Sequence, residues 1–243
     1  MGSPSDSTDG ANGARGRVAH GHRLTERDVE ILRWIARHGV VTAELVGRRF
    51  FWRPERNTYG KWAAYHRLAA LERMRLIIRT RSHGYPIPVL RVTRDGARIA
   101  DVGVRPAPLV PSELQHTIAL VWLSEYLLNE NAGAQLTTER ELRAERYRQR
   151  REGERELEQG RAPDALLRLP SNQPEGRDVE TVAVELDVSR KDRRAMERLV
   201  HQYDRENVDR VWWFVRTVRV ERTRQIVREL RADDRIEVRA WLE

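Results

Sequence analysis

The 243-residue sequence has no cysteine, only two lysines and no long apolar segment. Because cysteine is absent, disulfide bonds, thiolate zinc sites and cysteine nucleophiles are excluded. A membrane-spanning helix needs about 20 consecutive apolar residues, and a secretory signal needs an apolar core after a basic N-terminus. The sequence shows neither pattern. These absences predict a cytoplasmic protein that has no membrane partner.

Sequence motifs of two other classes of DNA-associated protein are also missing. No glycine-rich phosphate-binding loop is present, which argues against a nucleotide-driven motor. The His-hydrophobe-His signature of rolling-circle relaxases is absent as well. The sequence therefore does not indicate DNA relaxation by a tyrosine–histidine mechanism.

Positive charge is concentrated in the first half of the chain. Residues 1–110 contain 20 Lys and Arg against 10 Asp and Glu, a net charge of +10. Residues 111–243 contain 25 against 27, a net charge of −2. Codon bias explains why arginine is preferred to lysine, but it does not explain this asymmetry. The asymmetry indicates that the first half of the chain meets a polyanion.

The pattern of residues 23–102 predicts a winged helix-turn-helix domain. Residues 1–22, rich in Gly, Ser, Asp and Ala, are predicted to be a disordered basic tail before it. The predicted elements of the domain are helices 24–39, 43–49 and 58–75, strands 76–81 and 88–93, and a last short helix capped by Thr93. In this element order, the third helix fits the major groove of DNA and the hairpin lies on the adjacent backbone or minor groove.

Candidate DNA-binding residues cluster around the third helix and the hairpin. Lys61, Tyr65 and Arg67 are predicted to face outward, whereas Trp62 recurs at helical spacing with the apolar Leu68. The full set of candidates is Arg53, Arg56, Asn57, Thr58, Tyr59, Lys61, Tyr65, Arg67, Arg79, Arg81 and His83. The arginines are expected to contact phosphates and to make the affinity salt-dependent. The alternative is a winged helix that contacts protein.

A second domain is predicted after a proline-rich linker at residues 103–112. Residues 113–243 read as an α/β domain, whose first helix, 113–129, is apolar nearly all round and is expected to lie under a sheet or in a dimer interface. A capping box of Ser112 and Gln115 is predicted to open it. Residues 139–161 alternate arginine and glutamate and predict a solvated helix or loop. The later predicted elements are strands 163–169, 181–188 and 208–215, a closing strand, and helices 190–205 and 220–230.

Three carboxylates are predicted to converge in the second domain. Asp164 begins one strand, Glu185 and Asp187 share one face of the next, and Lys191 follows in the first turn of a helix. Asp164, Glu185 and Asp187 could ligate Mg²⁺ or Mn²⁺ while Lys191 stabilises or deprotonates an attacking water, so all four are candidate catalytic residues. The alternative is a solvated strand face with Lys191 paired to Asp187.

The Pro163-Asp164 … Glu185-Leu-Asp187 … Lys191 arrangement resembles the PD-(D/E)xK nuclease superfamily. Together with LTERDVEILRWIARHGVVTAELVGRRFF and VLRVTRDGARIAD in the first half, it is similar to the replication-relaxation family of plasmids and other mobile elements. This resemblance covers about residues 24–230. It implies an α+β fold, a winged helix-turn-helix followed by a nuclease-like α/β domain with a mixed central sheet, in a DNA-binding protein that supports plasmid replication and DNA relaxation.

The superfamily pattern is broken at position 187, where Asp187 replaces the usual lysine two residues after the glutamate. Either Lys191 supplies the lysine or hydrolysis is lost and the fold only binds. Glu139 or Glu141 on the upstream strand could add a ligand.

Three functions follow. The first is a sequence-specific double-stranded DNA-binding protein acting at a plasmid or mobile-element origin or promoter, as a homodimer that could meet replication or conjugation proteins. The second is a Mg²⁺-dependent nicking endonuclease. The third is a protein-interaction adaptor that uses the apolar stretch 118–128 and strand 211–215.

Overall fold

The computed structural model describes residues 23–152, 161–170, 179–188, 193–203 and 208–241. The elements before residue 101 are α1 (Glu26–His38), β1 (Val41–Thr42), α2 (Ala43–Phe50), β2 (Trp52–Arg53), β3 (Thr58–Tyr59), α3 (Lys61–Arg73), β4 (Ile77–Ser82), β5 (Tyr85–Val92) and α4 (Arg94–Ala100). The later elements are α5 (Leu114–Glu130), β6 (Gln135–Thr138), α6 (Glu139–Glu152), β7 (Ala165–Pro170), β8 (Val179–Asp187), α7 (Arg193–Tyr203), β9 (Arg210–Arg216), α8 (Val220–Glu229) and β10 (Ile236–Trp241). The chain is therefore a mixed α and β protein.

Helices α1, α2 and α4 begin at the threonines that the sequence predicts as N-caps. The Thr25 hydroxyl accepts the backbone N–H of Asp28, and the Asp28 carboxylate accepts the backbone N–H of Thr25 at 2.6 Å, which forms the predicted capping box. Thr42 caps α2 and Thr93 caps α4 through the backbone N–H three residues later. These helices pack with α3 on the antiparallel sheet β1-β5-β4 around one apolar core.

The segment predicted as a linker is packed against the first half of the chain. Within residues 103–112, Val104 and Ala107 are buried in the apolar core that α1, α2 and β5 form. No side chain caps α5, so the capping box predicted from Ser112 and Gln115 is wrong. A short 3-10 turn leads into the helix instead.

Helix α5 joins the two halves of the molecule. Its first apolar residues, Leu114, Ile118 and Val121, belong to the core of the first half, whereas Leu123 and Leu127 pack on the sheet of the second half. The sequence left open whether this helix lies under a sheet or in a dimer interface, and the helix packs on the sheet. The apolar stretch considered as an adaptor surface is therefore largely covered within the chain itself.

The second half is built on a five-stranded mixed sheet in the order β10-β9-β8-β7-β6. The pairs β6–β7 and β7–β8 are antiparallel, and the pairs β8–β9 and β9–β10 are parallel. α5 covers one face of the sheet, and α7 and α8 cover the other. β9 lies between two partners, as its continuous apolar run predicts, and its residues 211–215 are buried rather than offered to a partner protein.

Side chains alternate along β8 as the sequence predicts. Val184 and Leu186 pack on the α5 side, whereas Ala183 packs with α7 and α8. Glu185 and Asp187 share the parity of Ala183, so they belong to the α7 and α8 face. This alternation places both carboxylates on one face at the end of the strand.

Helix α6 occupies most of the segment in which arginine and glutamate alternate. Glu139 and Glu141, predicted on the upstream strand, instead lie in the first turn of this helix, because β6 ends at Thr138.

Neither α6 nor any other helix in the described part of the chain is long and apolar enough to cross a membrane.

Candidate functional site

The third helix starts later than the sequence predicts. It begins at Lys61, because residues 52–59 form a small hairpin of β2 and β3 around a 3-10 turn. Asn57 ends this turn with a left-handed backbone (φ 45°), which asparagine adopts more readily than most residues. Thr58 and Tyr59 form β3. These three candidate DNA-binding residues therefore precede the helix instead of forming its first turn.

Six exposed cations around α3 and the β4–β5 hairpin have no acidic partner among the described residues. Arg67 and Arg79 nearby pair with carboxylates, whereas none of these six cations has a carboxylate oxygen within 4.0 Å. We call this set the cationic surface, and its members are Arg53, Arg56, Lys61, Arg73, Arg75 and Arg81. The guanidinium group of Arg53 lies beside Gly60, where it adds positive charge to the N-terminal end of α3.

Arg67 is committed to a contact inside the protein. Its guanidinium group donates two hydrogen bonds to the carboxylate of Asp28, which is fully buried. Burial by itself raises the pKa of Asp28, but the hydrogen bonds from Arg67 and Thr25 and the charge of Arg67 lower it overall. Arg67 therefore ties α3 to the start of α1, and we remove it from the candidate DNA-binding residues.

Arg79 links the hairpin to the exposed face of α3. Its Nε donates to the carboxylate of Glu72 at 3.2 Å, and its guanidinium carbon lies 5.9 Å from the centre of the Tyr65 ring. Tyr65 is 37% exposed, so its ring forms part of the surface that the hairpin also reaches. Arg79 carries less unpaired charge than the cationic surface because Glu72 neutralises part of it.

Trp62 lies on the exposed face of α3, not on its apolar face. Its side chain is 77% exposed, whereas Leu68 and Leu71 on the same helix are fully buried. Trp62 stacks on His66 with ring centres 4.4 Å apart. The helical spacing that groups Trp62 with Leu68 therefore does not place Trp62 on the buried face, because it lies two positions, about 160° around the helix, from the buried Ala64.

The tip of the β4–β5 hairpin is exposed and basic. Ser82 pairs with Tyr85, so His83 and Gly84 form a two-residue turn. Gly84 has φ 84°, a left-handed conformation that favours glycine. His83 and Arg81 are exposed beside this turn. The predicted contact residues of the hairpin thus stand clear of the protein core.

Asp164 is a buried carboxylate at the start of β7. One of its oxygens accepts the backbone N–H of Leu186 at 2.9 Å, and the other accepts Arg161 Nη2 at 3.1 Å. His116 Nε2 lies 3.5 Å from the same carboxylate oxygen. The antiparallel register of β7 and β8, continued by one residue, places Asp164 opposite Glu185, so these two predicted site residues come together.

Glu185 and Asp187 are each 1% exposed and have donors from different elements. The Tyr203 hydroxyl on α7 donates to Glu185 Oε1 at 2.6 Å. Arg219, in the turn before α8, places Nη1 3.4 Å from Asp187 Oδ2 and donates from Nη2 to the Asp187 carbonyl oxygen at 2.7 Å. We call Asp164, Glu185 and Asp187 the carboxylate cluster.

In the described arrangement, protein donors reach at least one oxygen of each carboxylate in the cluster. No group of three His, Asp or Glu residues within the described ranges is placed to hold a metal ion. A divalent cation at this cluster would therefore compete with the donors that Asp164 and Glu185 already have. Lys191 lies outside the described residues. Glu141 pairs with Arg37 at 2.7 Å, away from the cluster.

Burial and neighbouring charges shift the pKa values of Asp164 and Glu139, the two carboxylates near His116, in opposite directions. Burial alone raises the pKa of Asp164, but the hydrogen bond and charge of His116 and the backbone N–H of Leu186 lower it overall. Burial raises the pKa of Glu139, and the charge of Asp164 adds to this, while Arg143 opposes it. Asp164 is thus held as an anion, while Glu139 keeps its proton to higher pH than an ordinary glutamate.

The carboxylate cluster borders a cleft of about 750 Å³ between the two halves of the chain. Its lining includes His116, Glu139, Asp164 and Asp187. Arginines from both halves complete the lining, and they are Arg37, Arg140, Arg143 and Arg161. The cleft therefore carries both signs of charge, unlike the mainly basic surface of α3 and the hairpin.

Sequence reasoning missed the partners of the carboxylate cluster. Tyr203, His116, Arg161 and Arg219 are not among the site residues that the sequence predicts. Tyr203 and Arg219 come from elements distant in sequence from their carboxylate partners, so spacing along the sequence gives no signal for them.

Comparison with known proteins gives no relative from which a function could be transferred. No family model matches the chain, and no curated protein or solved structure is significantly similar to it.

Proposed function

We propose that the protein binds double-stranded DNA sequence-specifically through α3 and the β4–β5 hairpin, which together act as a winged helix-turn-helix. The nuclease-like second half would then hold a partner or a second copy of the chain. As the resemblance to the replication-relaxation family implies, we propose that this binding serves replication, relaxation or transcriptional control of a plasmid or mobile element.

The observation that carries the proposal is the cationic surface. Many arginines elsewhere in the chain pair with carboxylates, as Arg143 does with Glu139 at 2.5 Å, although exposed arginines such as Arg94 and Arg198 have no carboxylate partner among the described residues. Around α3 and the hairpin the cations are concentrated: residues 53–81 hold eight cations against two carboxylates, and six of the eight have no carboxylate partner among the described residues. Exposed, uncompensated cations along a helix and an adjoining hairpin are the electrostatic footprint of a duplex-binding surface.

The order of elements supports the same proposal. Three helices precede a hairpin, and α3 exposes one face while Leu68 and Leu71 anchor the other in the core. A helix presented in this way fits the major groove, and a hairpin beside it reaches the neighbouring phosphates.

Salt dependence of DNA affinity tests the proposal. Six phosphate contacts give a slope of log affinity against log salt of about −5, so that raising salt from about 50 to 200 mM weakens binding about 10³-fold. The Lys61→Ala/Arg81→Ala variant should reduce the slope by about 2. As a matched control, Arg98→Ala/Arg148→Ala removes two exposed arginines that pair with acidic neighbours, and it should leave the slope unchanged.

Fluorescence anisotropy with labelled duplexes measures these slopes. A library of random duplexes, from which bound molecules are recovered and sequenced, tests sequence specificity. Equal slopes for the two double variants, or equal retention of any acidic polymer without a preferred duplex, would show that the surface is not a specific DNA interface.

A second candidate function, DNA nicking, is favoured by the convergence of buried carboxylates on adjacent strands. Asp164 and Glu185 are 4% and 1% exposed and lie opposite each other at the edge of a cleft. Burying several carboxylates together costs free energy, so such clusters are enriched at functional sites.

Relaxation of supercoiled plasmid in the presence of Mg²⁺ or Mn²⁺ tests this second function. If the cluster nicks DNA, the wild type relaxes plasmid and Glu185→Gln abolishes the activity while DNA affinity stays the same. Relaxation that is equal in the two proteins would assign the activity to a contaminant and the cluster to a structural role.

A further inference from the structure

Apolar side chains are exposed among the cations of the first half. Of the nine large apolar side chains that are exposed in the described residues, five lie between residues 52 and 87, and they are Trp52, Trp62, Tyr65, Ile78 and Ile87. Trp62 is the most exposed aromatic residue of the described chain, at 77%. A single exposed ring needs no explanation, but five exposed apolar side chains in the same stretch of chain as the cationic surface point to a binding site.

A groove of about 800 Å³ lies between the N-terminal end of α1 and α3. Apolar groups from Phe51, Ala63 and Ala70 line it. His66, the residue that stacks on Trp62, also lines it, so the indole stands at the edge of the groove.

The charge of this groove favours a polyanion. Its titratable lining residues are Glu26, Arg27, Asp28, His66, Arg67 and Arg73. Asp28 is neutralised by Arg67, which leaves Glu26 against two further arginines. The guanidinium group of Arg27 lies 5.4 Å from the centre of the Phe51 ring, so positive charge and aromatic surface occur together.

A fully paired duplex does not use such a surface well. It presents base edges in its grooves and phosphates on its backbone, whereas its base faces are hidden in the stack. An indole face can stack only on a base that has left the helix. An apolar protein partner fits less well, because docking it would remove water from the unpaired charges of Lys61 and Arg73.

We propose that Trp62, backed by His66, is a stacking platform for an unpaired DNA base, so that the protein binds DNA with an unwound segment more tightly than fully paired duplex. This inference rests on the proposed DNA-binding function and specifies which form of DNA the α3 surface prefers. The phosphates on either side of the unpaired base would lie near Arg27, Arg73 and the cationic surface.

A binding comparison on three DNA probes tests the inference. The probes are a short duplex, the same duplex with a central mismatched segment, and the same single strand, each with 2-aminopurine at the central position. Stacking on Trp62 quenches the fluorescence of the 2-aminopurine base. Trp62→Ala should weaken binding to the mismatched probe roughly 5- to 150-fold, while Trp62→Phe, which keeps an aromatic face, should retain most of the affinity.

Tyr126→Ala is the matched control, because Tyr126 is an exposed aromatic residue on α5, in the other half of the chain. It should leave both affinity and quenching unchanged. Trp62 is 77% exposed, so its replacement is not expected to unfold the protein, and circular dichroism checks this.

Four outcomes separate the two proposals. Preference for the mismatched probe that is lost only in Trp62→Ala supports the inference. If the wild type binds paired and mismatched probes with equal affinity, the inference is overturned while duplex binding stands. The same holds if Trp62→Ala loses equal affinity for both probes. Failure of the wild type to bind any probe overturns the proposed function itself.

Discussion

Arg67→Met should strongly destabilise the protein, although Arg67 is a surface-helix arginine by sequence. The substitution leaves the Asp28 carboxylate fully buried without its cation. Removing one partner of a buried ion pair costs about 3–5 kcal/mol of unfolding free energy. Thr25 still donates two hydrogen bonds to Asp28, at 2.6 and 2.7 Å, so we expect a value near the lower end, about 3 kcal/mol.

Urea unfolding followed by circular dichroism measures this cost. Arg73→Met is the matched control, because Arg73 is an exposed arginine on the same helix without a carboxylate partner among the described residues, and its change should stay within about 0.5 kcal/mol. Combining Arg67→Met with Asp28→Asn should recover part of the loss, since no buried charge is then unpaired. If Arg67→Met were as mild as Arg73→Met, the assignment of Arg67 to the interior would be refuted.

The same pair gives a pH dependence with a defined sign. The folded-state pKa of Asp28 lies below its ordinary value of 3.8, so the pair stabilises the protein above about pH 4 and this stability is lost as pH falls through the folded-state pKa. In Arg67→Met, burial without the cation raises the pKa of Asp28, and lowering the pH should then relieve part of the destabilisation. Thermal unfolding between about pH 5 and pH 3 compares the two proteins. Parallel pH curves for the wild type and Arg67→Met would contradict this account of the pair.

Two further substitutions test the packing of the two halves. Tyr203→Phe removes the 2.6 Å hydrogen bond to buried Glu185 and should cost about 1.5–3 kcal/mol in urea unfolding, whereas Tyr126→Phe on the exposed face of α5 should be neutral; equal effects would deny that the bond stabilises the fold. Gly96→Ala places a Cβ 2.0 Å from the backbone carbonyl oxygen of Leu76, so it should destabilise the protein by about 1–3 kcal/mol and lower its melting temperature, and an unchanged melting temperature would contradict this close approach of α4 to β4.

Features governed by short stretches of sequence could be predicted. The capping box of Thr25 and Asp28 depends on residues three apart, and the helix forms it as expected. The parity of Glu185 and Asp187 follows from the period of a strand, and the apolar neighbours on β8 show the same alternation. The Ser112 and Gln115 pattern satisfies the same local rule and fails, because a 3-10 turn replaces the expected start of α5.

The orientation of α3 could not be predicted, because it depends on contacts with distant residues. Trp62 and Leu68 both fit an apolar stripe at helical spacing, and only packing against α1 and α2 decides that Leu68 is buried and Trp62 is exposed. Likewise, Arg67 reads like its exposed neighbours until the chain brings Asp28, 39 positions earlier, against it. Helix propensity is the same in either orientation, so the sequence pattern alone cannot choose between them.

The carboxylate cluster depends both on local sequence rules and on contacts between distant residues, and these contacts affect whether it can bind a metal ion. Strand period and register bring Asp164 and Glu185 together, so their convergence was predictable. The groups that neutralise them come from α7 and from the segment before β7, and spacing does not encode these. A divalent cation that used these oxygens would compete with Arg161 for Asp164 and with Tyr203 for Glu185. Since losing a hydrogen bond to a buried charged group costs about 1.5–3 kcal/mol, metal binding and the stability of this end of the sheet should be coupled, and added Mn²⁺ should raise the melting temperature of Tyr203→Phe more than that of the wild type if the cluster holds a cation.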